Sequence, residues 1–243
     1  METDKAFWHG YVDFYDVFLK RASPKKIVEF GVFRGGSIRW LMDKFPEAEI
    51  CGVDILDVQP EWPVSPKVRY HQLDQGNRRA IDTFFADEMF DLIIEDGSHR
   101  PQHQVSCLIE GMKHLSAGGI YILEDIHTSM RSGGTPRSFG RAIGLADTGN
   151  ALTVLLAIHH LKRIGEPITN DRAMEIAANS LFTPKQVLEM SSRIKAIHLY
   201  RRTRLPDRCY KCGSVHFDYS ALRCKCSIEL FKSDDSMSFV IEA

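Results

Sequence analysis

Two acidic pairs in this sequence each follow a short apolar run. FDLIIEDGSH contains the pair Glu95-Asp96, and GGIYILEDIH contains the pair Glu124-Asp125. Apolar runs of this length are typical of buried strands, so four carboxylates are expected at strand ends. Because like charges gathered at one edge of a sheet repel each other, the pattern indicates a positively charged partner at that edge.

A divalent cation is the partner that this residue chemistry favours. Magnesium prefers hard oxygen ligands, and Asp96, Glu124 and Asp125 can supply one octahedral face. A cation bound to a sugar or alcohol hydroxyl lowers the pKa of that hydroxyl and so makes its oxygen a better nucleophile. The alternative is that two of these carboxylates serve as helix caps or salt-bridge partners.

A base is needed to take the hydroxyl proton, and His99 is the candidate. It follows Asp96 by three residues, in a loop expected at the same edge, and the pKa of histidine lies near neutrality. The alternative is a solvent-facing histidine beside a helix cap at Ser98. His103 and His127 are interpreted as bystanders. Asp96 and His99 are therefore the predicted catalytic residues.

A glycine-rich turn, EFGVFRGGS at 29–37, lies between a predicted strand and a predicted helix. Gly31 and Gly35 allow a tight turn and a close approach to a ligand. Asp54 ends the next strand about twenty residues later, where it can accept hydrogen bonds from both hydroxyls of a ribose. The spacing is G-x-x-x-G, and Glu29 would repel a diphosphate. The pattern favours a cationic nucleoside, S-adenosylmethionine, over a plain strand-to-helix turn.

Four further residues are predicted at the cofactor. They are Ser37 in the same turn, Asp74 and Gln75 at the end of the third predicted strand, and Glu95. Glu95 is assigned to the cofactor because neighbours along a strand point to opposite faces, so Glu95 and Asp96 cannot both face one ion.

Strands alternate with helices from residue 26 to residue 125, and several strands are apolar on both faces. This alternation predicts a parallel sheet covered by helices on both sides. A helix over 6–21 precedes it and ends at Ser23-Pro24. Further strands are predicted at 194–200, 227–231 and 236–242.

As a set, these motifs resemble the class I S-adenosylmethionine-dependent methyltransferases. The resemblance is to the metal-dependent branch with macrolide sugar O-methyltransferases and cephalosporin hydroxylase-like proteins. It is carried by TDKAFWHGY, EFGVFRGGS, GVDI, LDQGN, EDGSH and LEDIH within residues 3–127, and by SMSFVIEA near the end of the chain. It implies a Rossmann-like, doubly wound α/β fold whose mostly parallel sheet has an antiparallel closing strand. It also implies a cofactor at Gly31, Asp54 and Asp74-Gln75, and metal at Asp96, Glu124 and Asp125.

The expected organisation has four parts. These are an N-terminal helix over the cofactor site (1–24), a methyltransferase core (25–207) with a helical lid (128–193), a zinc-ribbon-like insert (208–226) and closing strands (227–243). Arg131, Arg137 and Arg141 in the lid are suited to an anionic substrate, although a solvated loop explains them equally well.

Four of the six cysteines lie close together, as C-x-x-C (Cys209, Cys212) followed by C-x-C (Cys224, Cys226). Four thiolates from two short turns can form a closed tetrahedral zinc site, which would be structural. The alternatives are two disulfides, four free thiols or a site in which His216 replaces one cysteine. The family pattern lacks this insert.

Composition excludes several classes of protein. The net charge of −1 does not favour a nucleic-acid binder that works through bulk electrostatics. No stretch approaches the roughly 18 apolar residues of a membrane helix, and the N-terminus lacks the apolar core of a signal peptide. We therefore expect a cytoplasmic protein with reduced thiols. The oligomeric state is open.

The predicted function is magnesium-dependent methyl transfer from S-adenosylmethionine to a hydroxyl of a small-molecule acceptor, a sugar of a natural product or glycan. The sequence leaves three alternatives: an amine acceptor, a hydroxylase-like enzyme of the same fold, and a non-catalytic zinc-ribbon interaction protein. The hydroxylase is disfavoured because non-haem iron oxygenases typically use two histidines and one carboxylate.

Overall fold

A computed structural model describes residues 3–130, 148–231 and 236–243. The helices are α1 (Asp4–Phe7), α2 (Tyr11–Leu19), α3 (Gly36–Lys44), α4 (Arg78–Phe85), α5 (Pro101–Lys113), α6 (Ala151–Ile164), α7 (Asn170–Ala177) and α8 (Pro184–Arg193). The strands are β1 (Lys26–Phe30), β2 (Glu49–Asp54), β3 (Val68–Gln72), β4 (Phe90–Glu95), β5 (Leu115–Leu123), β6 (Ala196–Arg201), β7 (Phe217–Asp218), β8 (Arg223–Cys224) and β9 (Met237–Glu242).

The described strands form a seven-stranded sheet in the order β3-β2-β1-β4-β5-β9-β6. β1 to β5 are mutually parallel, whereas β9 runs antiparallel to both β5 and β6. The predicted fold class, a doubly wound and mostly parallel sheet with an antiparallel closing strand, is confirmed. Starting from β1, the chain adds β2 and β3 on one side of the sheet and then β4 and β5 on the other side. In such sheets ligands bind outside the carboxyl ends of the strands where this change of side occurs, here between β1 and β4.

Both faces of the sheet are buried, as the two-sided apolar strands predict. On one face, α2 and α3 pack over alternate strand residues such as Ile27 and Leu92. On the other face, α4 to α8 pack over the intervening residues, among them Val28 and Ile93. The helices after residue 148 are therefore part of the core on this second face. The remainder of the predicted lid, 131–147 with its three arginines, lies outside the described residues.

The predicted helix over 6–21 is wrong as a single element, because the chain forms two helices there. The side chain of Thr3 caps the start of α1, and Gly10, the residue before α2, adopts a left-handed conformation with φ of 71°. Glycine tolerates this conformation because it has no Cβ atom. The break lets α1 turn toward the carboxyl ends of the strands while α2 packs on the sheet.

The strand predicted at 227–231 is also wrong. Its described residues make one isolated bridge, between Arg223 and Glu229, and the regular pairing in this region is the short β7–β8 hairpin. The apolar residue Leu230 is instead fully buried in a small cluster with Cys209 and Cys224. An alternating apolar pattern indicates that one side of a segment is buried. Here that buried side belongs to a loop and not to a strand.

None of the helices in the described part of the chain is long and apolar enough to cross a membrane.

The turn after β1 depends on close backbone packing, which a substitution can test. Gly31 has φ of 93°, and a Cβ atom added there would lie 2.1 Å from the Asp96 carbonyl oxygen. Gly118 has a similar φ of 80° but faces open space. We expect Gly118→Ala to lower the free energy of unfolding by about 1–2 kcal/mol, the cost of the left-handed conformation alone. Gly31→Ala should cost clearly more. Equal losses in chemical denaturation would contradict this packing.

Candidate functional site

The sheet order brings three acidic strand ends together. Glu29 lies in β1, Asp96 directly follows β4, and Glu124 directly follows β5. Backbone hydrogen bonds continue the strand pairing into these ends: Asp96 N–H donates to the Phe30 carbonyl at 2.9 Å, and Glu124 N–H donates to the Glu95 carbonyl at 2.9 Å. Residues far apart in sequence therefore share one edge because β1, β4 and β5 are neighbours.

The ammonium of Lys5 lies between these carboxylates. It donates to Asp96 Oδ2 and, at 2.7 Å, to Glu124 Oε1, and it lies 3.4 Å from Glu29 Oε1. Only 3% of its side chain is exposed. Burial alone would lower the pKa of Lys5, but the three carboxylates raise the pKa well above its usual value. The positively charged partner that the acidic pairs indicate is, in this structure, a lysine of α1.

A second group of side chains faces the open side of the same site. Donor atoms of Asp96, His99 and Asp125 lie within 4.8 Å of one another. His99 Nδ1 is 4.0 Å from Asp96 Oδ1, and His99 Nε2 is 3.8 Å from Asp125 Oδ2. These separations are too long for direct hydrogen bonds. Nδ1 has no hydrogen-bond partner among the described residues. Glu124, predicted as a metal ligand, bonds Lys5 instead of joining this group.

Asp125 is held as an anion by its surroundings. The Tyr11 hydroxyl donates to Asp125 Oδ1 at 2.7 Å, and His127 Nδ1 lies 3.7 Å from the same oxygen. Burial would raise the pKa of Asp125, but His9, His99 and His127 together with this hydroxyl hold it at about 2. Tyr11 and His9 were not predicted as site residues, and Lys5 was not either. All three belong to the TDKAFWHGY region, but nothing in their spacing indicates which strand ends they meet.

The glycine turn forms the neighbouring wall of the site. Asp54 Oδ2 accepts hydrogen bonds from the backbone N–H groups of Val32 (2.8 Å) and Phe33 (3.1 Å). Asp54 was predicted to accept from a ribose, and in this structure it also shapes the turn. Asp54 Oδ1 also accepts from the Leu56 backbone N–H at 3.0 Å, so about one of the four acceptor positions of the carboxylate is left for a ligand. The Ser37 hydroxyl donates to Glu29 Oε2 at 2.7 Å, which links the helix start to the acidic cluster.

The other predicted cofactor residues lie on the far side of the turn. Gln75 donates to Glu95 Oε1 at 2.8 Å and accepts from the Ser98 backbone N–H at 2.8 Å. Both Gln75 and Glu95 are buried, and burial raises the pKa of Glu95 to about 7. Asp74 is exposed and accepts from the Gly76 N–H at 2.8 Å. Gln75 thus fixes the loop after β4, which carries His99.

All of these walls enclose one cavity of about 1680 Å³. Its lining includes Gly31, Asp54, Gln75, Asp96 and His99, together with α1 and exposed apolar residues after β1 and β2. Of the predicted cofactor residues, Glu29, Gly35 and Glu95 are not part of this lining. Single-ligand pockets usually occupy about 300–1,000 Å³, so the cavity has room for a cofactor and an acceptor together.

The four clustered cysteines meet in a separate place. Donor atoms of Cys209, Cys212, Cys224 and Cys226 lie within 4.8 Å of one another, and all six cysteines of the chain are free thiols. The predicted four-cysteine cluster is confirmed as a structural feature. Cys51 and Cys107 are buried core residues, as expected. His216 is exposed and lies outside the cluster.

The buried ammonium of Lys5 can be tested by removing its charge. Lys5→Met would leave Glu29, Asp96 and Glu124 without their cation, and breaking a buried pair in this way costs about 3–5 kcal/mol. We expect a loss of that size in denaturant unfolding with EDTA present. Lys20→Met, at an exposed position of the neighbouring helix end, is the control and should change stability little. A small loss for Lys5→Met would show that the carboxylates do not depend on this cation.

The raised pKa of Glu29 predicts that the stability of the folded protein depends on pH. Burial, partly opposed by Lys5, raises the pKa of Glu29 from 4.5 to about 7. Between these values the folded protein keeps a proton that the unfolded chain has released, so stability falls as pH rises and levels off above about 7. Relative to Glu29→Gln, the wild type should lose up to about 3 kcal/mol across this interval. Glu166→Gln, at an exposed site, should follow the wild type. Parallel pH profiles for wild type and Glu29→Gln would refute the shift.

Comparisons with known proteins agree on one group of relatives. The chain is 26% identical over 171 residues to mycinamicin VI 2''-O-methyltransferase of Micromonospora griseorubida, covering 66% of this chain and 42% of the relative. It is 28% identical over 175 residues to a tetracenomycin rhamnosyl 3'-O-methyltransferase of Streptomyces olivaceus, covering 65% of this chain and 43% of the relative. The chain thus spans less than half the length of these curated relatives. No protein-family model matches it.

A solved structure shows the same fold. The MycE methyltransferase of the mycinamycin biosynthetic pathway, in complex with Mg, SAH and mycinamycin VI, matches with a TM-score of 0.59 and 20% identity. The match covers 98% of this chain and 50% of that one. By sequence, this chain is similar to these two O-methyltransferases, and its fold is similar to that of the MycE methyltransferase.

Proposed function

We propose that this chain transfers a methyl group from S-adenosylmethionine to a hydroxyl, on a sugar of a natural product or glycan, with the help of Mg²⁺. The observation that carries the proposal is that Asp96, His99 and Asp125 converge in a cavity that the glycine turn also lines. Both curated relatives are O-methyltransferases by name, and one of them is named for a rhamnosyl acceptor, which supports the acceptor class.

The cavity wall suits a nucleoside cofactor. Phe33, Ile55 and Leu56 line it and are 50–69% exposed, which is unusual for large apolar side chains grouped around a polar residue. A flat base would cover these side chains, and the neighbouring Asp54 carboxylate would accept from ribose hydroxyls. S-adenosylmethionine supplies a methyl group on a positively charged sulfur. Asp96, a carboxylate in the lining of the cavity, favours a cation over a diphosphate.

The acidic strand ends suit a bound cation. In this structure a cationic side chain already lies beside them, because the Lys5 ammonium contacts Glu29, Asp96 and Glu124. Asp96 and Asp125, with Glu124 as the third carboxylate, would hold magnesium, and hard oxygen donors are the ligands that this ion prefers. When bound, the ion lowers the pKa of the acceptor hydroxyl and orients it.

His99 would remove the acceptor proton. Its ring lies between the carboxylates of Asp96 and Asp125 but is too far from either to form a hydrogen bond. A hydroxyl entering the cavity can therefore reach a ring nitrogen. The Thr128 hydroxyl donates to the His99 carbonyl at 2.8 Å and fixes the loop that presents the ring. Two anionic neighbours stabilise the protonated imidazole that results. Placing the hydroxyl in line with the methyl group would supply much of the remaining rate acceleration.

The four cysteines would hold a structural zinc ion. A tetrahedral site with Zn–S bonds of about 2.3 Å separates its sulfurs by about 3.8 Å. Two pairs are already close to that value, since Cys209 Sγ lies 3.6 Å from Cys226 Sγ and Cys212 Sγ lies 3.3 Å from Cys224 Sγ. Four thiolates fill the coordination shell, so the ion would have no position for a substrate.

Calorimetry tests the cofactor assignment first. We expect S-adenosylmethionine and S-adenosylhomocysteine to bind the purified protein both with Mg²⁺ and with EDTA, because the cofactor wall and the carboxylate group are distinct parts of the cavity. Absence of binding under both conditions would refute the methyltransferase proposal. Binding that requires Mg²⁺ would place the ion at the cofactor instead of the acceptor. Metal-independent methyl transfer to an amine would favour the amine alternative.

The role of Glu124 is separately testable, because two cations compete for it. Titrating Mg²⁺ into the protein should show binding weakened at least about tenfold by Asp125→Asn or Glu124→Gln, each a loss of one charged ligand. Lys5→Met should tighten Mg²⁺ binding, since it removes the ammonium from Glu124 and Asp96. Asp82→Asn, an exposed carboxylate on α4, is the control. Unchanged affinity for Glu124→Gln would restrict the proposed ligand set to Asp96 and Asp125.

A further inference from the structure

The segment 205–231, called the cysteine module here, packs against the N-terminal helix. Trp8, Cys209, Cys224 and Leu230 are buried together in a small cluster separate from the two cores of the sheet. Phe7, Leu205, Phe217, Cys226 and Ile228 pack around this cluster. Two of the four cysteines are therefore part of the apolar contact that covers Trp8.

Hydrogen bonds tie the two segments together at the backbone. The Asp207 N–H donates to the Phe7 carbonyl at 2.8 Å. The buried guanidinium of Arg202 donates to the Trp8 carbonyl at 2.7 Å and to the Leu230 carbonyl at 2.8 Å, and it stacks 4.8 Å from the Trp8 ring centre. A single cation thus joins the end of α1 to the end of the cysteine module.

Side chains beside the first cysteine complete the contact. The Arg208 guanidinium lies 3.9 Å from the centre of the Phe7 ring, a cation–π contact. The Tyr210 ring meets the Trp8 ring edge-on, with centres 4.7 Å apart. Because Arg208 and Tyr210 flank Cys209, their positions depend on the turn that brings Cys209 and Cys212 together.

The N-terminal helix depends on such outside support. α1 has four residues, and a single helical turn is not stable by itself in water. Yet Thr3, Asp4, Lys5 and Phe7 line the cavity, and Lys5 reaches the acidic strand ends. Tyr210 and Lys211 of the cysteine module line the same cavity from the adjoining side.

The cysteine module has little structure of its own to hold it in place. Its regular pairing consists of β7 and β8, with two residues each. A hairpin of this size is not stable in water without a further constraint, and a bound metal supplies one in small cysteine-rich folds.

We infer that the cysteine module is a metal-loaded clamp: with a metal ion on its four cysteines it holds α1, and through α1 Lys5, over the cavity. Loss of that ion would release residues 3–9 and open one wall of the cavity. The inference rests on the proposed function for the metal ion on the four cysteines and for the identity of the ligand in that cavity.

Hydrogen–deuterium exchange on the full chain tests the clamp directly. One sample is the protein as purified, with its zinc content measured. In the other sample, zinc is extracted with an organomercurial and a chelator, the thiols are then regenerated, and Mg²⁺ is added back. We expect residues 3–9 to lose about tenfold or more in protection after extraction, while β1, β4 and β5 keep theirs. Unchanged protection at 3–9, or protein that purifies without metal and is equally protected there, would overturn the inference.

A pair of arginine variants separates the clamp from a general effect of the cysteines. Arg208→Ala removes the contact with Phe7 and retains all four cysteines, whereas Arg223→Ala removes an exposed arginine from the same module. We expect Arg208→Ala to weaken S-adenosylhomocysteine binding about threefold to tenfold, as the loss of a cation–π contact predicts, and to raise exchange at residues 3–9. Arg223→Ala should do neither.

The two readouts distinguish the clamp from the proposed function. If the wild-type chain does not bind S-adenosylhomocysteine, the proposed function fails, while exchange at residues 3–9 still decides the clamp. If binding is intact and exchange at residues 3–9 does not respond to zinc extraction, the clamp fails and the proposed function stands. Equal effects of Arg208→Ala and Arg223→Ala on exchange would also count against the clamp.

Discussion

The burial of one ammonium among carboxylates governs the arrangement of this site. Glu29, Asp96 and Glu124 come from the ends of three neighbouring strands, and Lys5 lies against all of them with almost no exposure to solvent. Desolvating these charges costs several kcal/mol for each ion, and only close pairing offsets that cost. The strand ends, the N-terminal helix and the glycine turn must therefore keep their mutual positions for the charges to stay paired.

The topology of the sheet makes such a concentration of charge possible. In a parallel sheet every strand presents its carboxyl end at the same edge, and the reversal of strand order between β1 and β4 leaves a crevice there. The middle residues of β1, β2, β4 and β5 are mostly apolar and buried, whereas acidic residues such as Asp54 and Glu95 end their strands at this edge. This edge holds the cavity, the acidic cluster and the group of Asp96, His99 and Asp125, because the fold leaves few other places for them.

The cysteine module and the N-terminal helix extend this edge beyond the sheet. Neither could be stable alone, since one has four helical residues and the other a hairpin of two-residue strands. Each buries apolar surface of the other, and Arg202 joins their backbones. The chain spans about half the length of the MycE chain.

The sequence by itself determined the elements of the core, because hydrophobic periodicity is a local property that each segment carries. It also placed carboxylates at strand ends, glycines in the turn after β1, and four cysteines in one segment. Its errors were local as well: it missed the break at Gly10 and took the buried Leu230 for part of a strand. Only the tertiary structure decided that Lys5 reaches Asp96 and Glu124, which lie 91 and 119 residues away, and that Arg202 meets Trp8. The packing of the whole chain decides which distant segments meet, and no local sequence pattern contains that information.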